Sequence, residues 1–211
     1  PTSQRSARNK HPRLAGRAHI EAGQARGEGV GLLVMHFNTL EAVSRMLATQ
    51  VVIHAVDRAN DNPVIDRLID RGRRHYVRST VDRTDIRQML RLLRSGEIVW
   101  YAPDQDYGTA HALFVPFFGI PAATITATSR IAKMGKAAVI PCAHYRLPGG
   151  RYEIEFGPAL EHFPGGDEAA DTARINQTIE HYVRKHPEQY LWVHKRFKHQ
   201  PEGRPSPYKK L

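Results

Sequence analysis

His36-Phe37-Asn38-Thr39-Leu40-Glu41 sets a histidine five residues before a glutamate. An imidazole with an ordinary pKa near ~6.5 takes a proton from a hydroxyl at neutral pH. A carboxylate on its other nitrogen fixes the tautomer and raises the basicity. His36 as base and Glu41 as its orienter is one reading of the six residues. The other is structural: Asn38 and Glu41 stand at capping-box spacing, with Asn38 as N-cap and Glu41 at N3, and capping alone would account for the acid.

Further along, Ser129 and Arg130 fall where a helix begins. Free N–H groups and a cation there would hold a phosphate. Near the C-terminus, Trp192, His194, Lys195, Arg196, Phe197 and Lys198 mix aromatic rings with cations. That mixture suits a lipid headgroup interface and equally a single-stranded nucleic acid. Cys142 ends an apolar run, where a thiol behaves as a small buried hydrophobe rather than a nucleophile. His144, two residues on along a strand, stands about 6 to 7 Å away by backbone rise.

The elements that must carry these residues follow from periodicity. GVGLLVMHF is an apolar run of strand length that delivers His36 to its end, and such strand ends are where α/β sheets place ligands. NTLEAVSRMLAT follows with Leu40, Val43, Met46 and Leu47 at helical spacing. VVIHAVDR reads as a strand. The next segment reads as a helix begun by Pro63 and closed near Gly72, and DIRQMLRLLRSG as a helix with a glycine stop. EIVWYAPDQD reads as a strand running into a loop.

The stretch from His111 to Arg146 predicts a Pro- and Gly-punctuated apolar loop, a helix from about Thr126 to Met134, and a buried strand. RYEIEFGPAL alternates as a half-buried edge strand does, and a long helix follows it. Residues 1–14, polar and basic without periodicity, read as disordered or as the start of a fragment. Residues 15–211 read as a single domain. Strands alternating with helices predict an α/β layered domain, with a central mixed, largely parallel sheet flanked by helices.

Composition narrows the partners. The chain holds 31 Lys and Arg against 21 Asp and Glu, a formal charge of +10, and a surface of that sign attracts polyanions. Nucleic acid, anionic headgroups, a phosphorylated substrate and an acidic carrier protein all qualify. No run approaches the roughly 20 apolar residues that span a bilayer. The single cysteine excludes an internal disulfide and fits a reducing compartment.

The His36-x-x-x-x-Glu41 segment resembles the first motif of the lysophospholipid and glycerolipid acyltransferase superfamily, with glutamate in the form characteristic of the lipid A late acyltransferases. RANDNPVIDRLIDRGR, GEIVWYAPDQDYG, LFVPFFGIPAATITATSRIA and PEQYLWVHKRFKHQPEG resemble successive blocks of that family, so the likeness runs from about Gly31 to Tyr208. It implies a glycerolipid acyltransferase-like fold and transfer of a fatty acyl group from acyl carrier protein to a hydroxyl of a lipid A precursor, an anionic phosphorylated glycolipid. It implies His36 as general base with Glu41 as partner, and Arg73 and Asp104 at substrate-binding positions. A guanidinium can bind phosphate bidentately, and Asp104 could orient a base or an arginine. Direct transfer requires no metal or cofactor.

The family carries a membrane helix ahead of the histidine motif that these residues do not contain. The resemblance therefore implies an N-terminally shortened chain, peripheral on the cytoplasmic face of the bacterial inner membrane. A glycerolipid acyltransferase would share His36 and its chemistry. A nucleic-acid-binding module is motivated by the +10 charge and the aromatic-cation tail, but no zinc-finger, RNP or helix-turn-helix pattern supports it, and no nucleic acid is expected as a partner.

Overall fold

The structure, a computed structural model, describes residues 12–208. Nine strands and six α-helices build it among these residues: β1 (Arg13–Ala15), α1 (Arg17–Ala25), β2 (Gly29–Val34), α2 (Leu40–Ala48), β3 (His54–Asp57), α3 (Pro63–Arg73), β4 (Ser79–Asp82), α4 (Ile86–Arg94), β5 (Ile98–Tyr101), β6 (Ala112–Phe117), β7 (Ile120–Ile125), α5 (Ala127–Gly135), β8 (Ala137–Leu147), β9 (Arg151–Phe156) and α6 (Glu168–Val183). Seven strands form one sheet in the order β1-β9-β8-β2-β5-β3-β4. β8, β2, β5, β3 and β4 run parallel, while β9 is antiparallel to β8 and carries β1 with it. This is the expected mixed, largely parallel α/β sheet.

Alternation along β2 separates two core layers. Val30, Leu32 and Val34 pack with Ile20 of α1 and with Val43 and Leu47 of α2. Leu33 and Met35 turn to the opposite face, against Ile175, Ile179 and Val183 of α6. Met89, Leu90 and Leu93 of α4 join that second face with Val99 of β5 and Ile131 of α5. Each such buried aliphatic contributes about 1.5–3 kcal/mol relative to exposure. The α4 terminus lies so close to β2 that a Cβ at Gly29 would meet the Leu93 carbonyl oxygen at 2.0 Å, so only glycine fits there.

The connection after β2 passes through α2 on one face to β3. The connection after β5 passes through α5 on the other face to β8. Adjacent strands whose chains leave in opposite directions open a crevice at their carboxyl ends, the switch point where open α/β sheets bind ligands. His36 follows β2 by two residues, Asp104 follows β5 by three, and Asp57 ends β3. Sheet topology alone brings them to one end.

Three details differ from the sequence reading. Arg13 and Leu14, grouped there with an unstructured start, form β1; residues 1–11 of that group lie outside the described residues. β9 is consequently an interior strand, covered by a three-residue partner too short to show periodicity. The apolar stretch before α5 is a β-hairpin, not a loop. β6 and β7 pair through the two-residue turn Phe118–Gly119, with φ of 48° and 76°, the geometry of a type I′ connection.

Candidate active site

The Nδ1 of His36 lies 2.5 Å from Oδ1 of Asp104, and its backbone N–H donates to Oδ2 at 2.7 Å. Asp104 is 1% exposed. Burial opposes its charge, but His36 outweighs burial through its field and two hydrogen bonds, and the carboxyl is held below the ordinary range. The reciprocal balance acts on His36: burial pulls its pKa down, and the Asp104 carboxylate more than reverses that, so the net shift is upward. With Nδ1–H donating to Asp104, the lone pair stands on Nε2, which has no partner among the described residues. His36 itself lines the cleft. A tautomer fixed by a buried carboxylate, with the basic nitrogen facing open space, is the arrangement of a general base.

The C-terminal segment holds this dyad from behind. Leu191 N donates to the His36 carbonyl at 2.9 Å, Asn38 N to the Gln189 carbonyl at 2.8 Å, and Phe37 forms a bridge with Tyr190. The Tyr190 hydroxyl donates to the Asp104 carbonyl at 3.2 Å. Thr39 Oγ1 meets Nδ1 of the fully buried His144 at 2.8 Å, and burial pushes that imidazole down to about 3, so it stays neutral. Neither the strapping by residues 189–191 nor the prop under Thr39 has a local sequence signature.

Glu41 does not reach His36. It ion-pairs with Arg73, which also grips Asp57 at the end of β3. The expected His36–Glu41 pairing fails for two reasons. Asp104 already occupies Nδ1, and Glu41 is the second residue of α2, carried past the histidine by the Phe37–Thr39 turn. The capping box fails too: the N-cap is Thr39, and it makes no side-chain cap bond. Arg73 is not a free phosphate ligand either. Burial weakens its charge, but Glu41 and Asp57 together raise its pKa well above the usual arginine value.

These groups open onto a cleft of about 820 Å³, within the range that takes a sizeable ligand. Its lining includes four exposed cations, Arg58, Arg83, Arg130 and Lys198, and apolar surface from Leu40, Trp100 and Ile131, beside the carboxylates of Glu41, Asp57 and Asp106. Arg130 lines this cleft from the first turn of α5, 3.8 Å from Glu168. Ser129 does not line the cleft. It is buried in the first turn of α5, its hydroxyl donating to the Thr126 carbonyl. A second carboxylate–imidazole pair went unnoticed in the sequence. Asp106 accepts from the His199 backbone N–H and contacts its Nδ1 at 2.8 Å, while the Asp106 N–H donates to Nε2 of His194.

Arg196 belongs to no interface. At 2% exposure it donates to the Ala123 carbonyl, to Thr124 Oγ1 and to Asn176 Oδ1, with its guanidinium over the Phe117 ring. It ties the C-terminal segment to the hairpin and α6. Cys142 is fully buried in β8, and burial raises its thiol pKa far above the usual value. Among the described residues no group of three or more His, Cys, Asp or Glu is placed to hold a metal ion, and no helix is long and apolar enough to cross a membrane.

Comparison with known proteins matches residues 2–199 to a family described as bacterial lipid A biosynthesis acyltransferase. The chain is 42% identical over 198 residues to the lipid A biosynthesis lauroyltransferase of Escherichia coli (strain K12), a match covering 92% of this chain and 64% of that one. It is 38% identical over 185 residues to a lipid A biosynthesis acyltransferase of Haemophilus influenzae, covering 86% and 60%. It is 32% identical over 197 residues to the E. coli lipid A biosynthesis palmitoleoyltransferase, covering 92% and 64%. The chain therefore spans between 60% and 64% of the length of these curated relatives.

Proposed function

The chain belongs to the bacterial lipid A biosynthesis acyltransferase family, and from that premise we propose that residues 15–211 form one transferase domain that moves a fatty acyl group from acyl carrier protein to a hydroxyl of a lipid A precursor. The observation that carries this reading is the His36–Asp104 dyad, its free nitrogen facing a cleft lined by both cations and apolar side chains.

The acceptor hydroxyl oxygen attacks the thioester carbonyl while His36 Nε2 takes the hydroxyl proton. Asp104 stabilises the imidazolium that forms. Collapse of the tetrahedral intermediate breaks the carbon–sulfur bond, and the imidazolium returns its proton to the departing carrier thiolate. The thioester is already activated, so no covalent enzyme intermediate is needed.

Glu41 acts through Arg73: with Asp57 it fixes the guanidinium as part of the cleft wall. Acceptor phosphates meet Arg83, Arg130 and Lys198, and the reaction takes place at the cytoplasmic face of the inner membrane.

The test is to supply carrier-bound acyl chains of several lengths with a tetra-acylated lipid A precursor and to weigh the lipid products. An acylated precursor supports the reading. Transfer only to a lysophospholipid, or to neither acceptor, refutes it.

A further inference from the structure

The helix α3 is built inside out. Asp66, Asp70 and Arg73 face the protein, where Asp66 accepts from the Asn60 N–H, Asp70 from Thr80 and Arg74, and Arg73 holds its two carboxylates. Ile69 shares this half-buried face, while three other aliphatic residues point away from it: Val64 is 67% exposed, Ile65 45% and Leu68 65%, and no residue of α3 is buried. Val64 and Leu68 stand one turn apart and form a stripe. On a helix whose polar side is already satisfied by the protein, exposed valine, isoleucine and leucine contribute nothing to folding.

Three features name what covers this face. Arg67 and Arg71 border the stripe and are exposed, as is Arg74 just past the helix end, where it is paired with Asp70, and cations flanking an aliphatic stripe match an anionic headgroup layer over hydrocarbon, since arginine stems lie along apolar surface while their charges stay at the headgroups. The same helix ends in Arg73 on the cleft wall, so whatever seats on α3 is brought to the cleft mouth. The formal charge of +10 adds long-range attraction to an anionic surface. We propose that the outward face of α3, Val64, Ile65 and Leu68 bordered by Arg67 and Arg71, is the surface with which this protein seats on an anionic lipid bilayer. The proposal rests on the reading of the acceptor as a lipid, and it assigns the element that meets the membrane.

The sole cysteine is buried, which makes the test selective. An environment-sensitive dye is placed at Leu68→Cys, and in a second protein at Ser95→Cys, on the exposed turn before β5 at the far end of the sheet. Each is mixed with vesicles containing phosphatidylglycerol or with neutral phosphatidylcholine vesicles, with no acyl donor or acceptor present. The dye at position 68 should shift to the blue with the anionic vesicles only, and the dye at 95 should not. Unlabelled Val64→Ser/Leu68→Ser should bind the anionic vesicles at least about tenfold more weakly, the lower bound for two aliphatic groups left in water, with unchanged thermal unfolding.

Vesicle binding without a shift at 68, or binding unaffected by the double substitution, would overturn the proposal. So would a shift driven by soluble acyl carrier protein in the absence of lipid, which would make α3 a protein-docking face. The transfer chemistry is judged separately: Val64→Ser/Leu68→Ser should retain transfer to a detergent-dispersed acceptor, and a chain that transfers to no acceptor would sink the proposed function while leaving the dye measurement interpretable.

Discussion

Asp104 engages His36 at two points, the ring nitrogen at 2.5 Å and the backbone amide at 2.7 Å, from the end of the neighbouring strand. The carboxylate fixes both where the imidazole sits and which nitrogen is basic. Because His36 carries a raised pKa and must be neutral to act, the acid limb of kcat/KM should fall at a pH above the ordinary imidazole value of ~6.5. Asp104→Asn should move that limb down and reduce the plateau by roughly 10⁴-fold, the scale seen when a catalytic histidine loses its carboxylate. A pH–rate profile of both proteins checks this.

The same pair should shape stability against pH. The raised His36 favours the folded state fully below its unfolded pKa, and that contribution is lost as pH rises through the folded value. The lowered Asp104 contributes above its unfolded pKa, and its share is lost as pH falls through the folded one. Denaturant unfolding across pH should therefore show both dependences in the wild type, and in Asp104→Asn the acidic one should vanish and the His36 one should be weakened.

Glu41 and Arg73 should behave as one unit. Glu41→Gln is expected to lower kcat/KM through the loosened guanidinium while leaving the acid limb in place, because Asp104 and not Glu41 sets the His36 pKa. In an Arg73→Ala background the same change should add little. A double-mutant cycle measures the coupling, and strict additivity would separate the two residues.

What the sequence made legible was local. The apolar run ending at His36 and the alternation of strands and helices lie within single segments, and the fold class follows from them, whereas Arg73 and Asp104 stand out only through the family resemblance. The His36–Asp104 contact joins residues 68 apart and depends on β2 and β5 being neighbours, an order that periodicity does not encode. Glu41 misleads because a carboxylate five residues from His36 in sequence pairs in space with Arg73 instead. Arg196 misled because exposed and buried cations read alike in a row of letters. Val64 and Leu68 fit the spacing of a core helix, and only the position of α3 shows them facing outward.

Arg196 should matter for folding more than for chemistry. Arg196→Ala removes charged hydrogen bonds to three buried acceptors, of which Thr124 Oγ1 keeps its contact with Asn176, and opens a cavity under the hairpin, so a loss of roughly 3 kcal/mol is expected. Thermal and denaturant unfolding read it directly, and a change within 0.5 kcal/mol or so, the usual effect at the surface, would contradict the buried network.

The central claim is direct transfer with His36 as base, and single-turnover transfer from acyl carrier protein to the lipid A precursor by His36→Ala and Cys142→Ser, alongside intact-protein mass spectrometry, tests it most directly. His36→Ala should be slower by about 10²- to 10⁴-fold in the folded protein, with thermal unfolding lowered because the buried Asp104 loses its imidazole partner. Cys142→Ser, changing a buried thiol with a raised pKa, should keep most of its activity, and no protein should gain acyl mass from the carrier alone. Near-normal turnover by a folded His36→Ala, or an acyl adduct that disappears together with turnover in Cys142→Ser, would contradict the account.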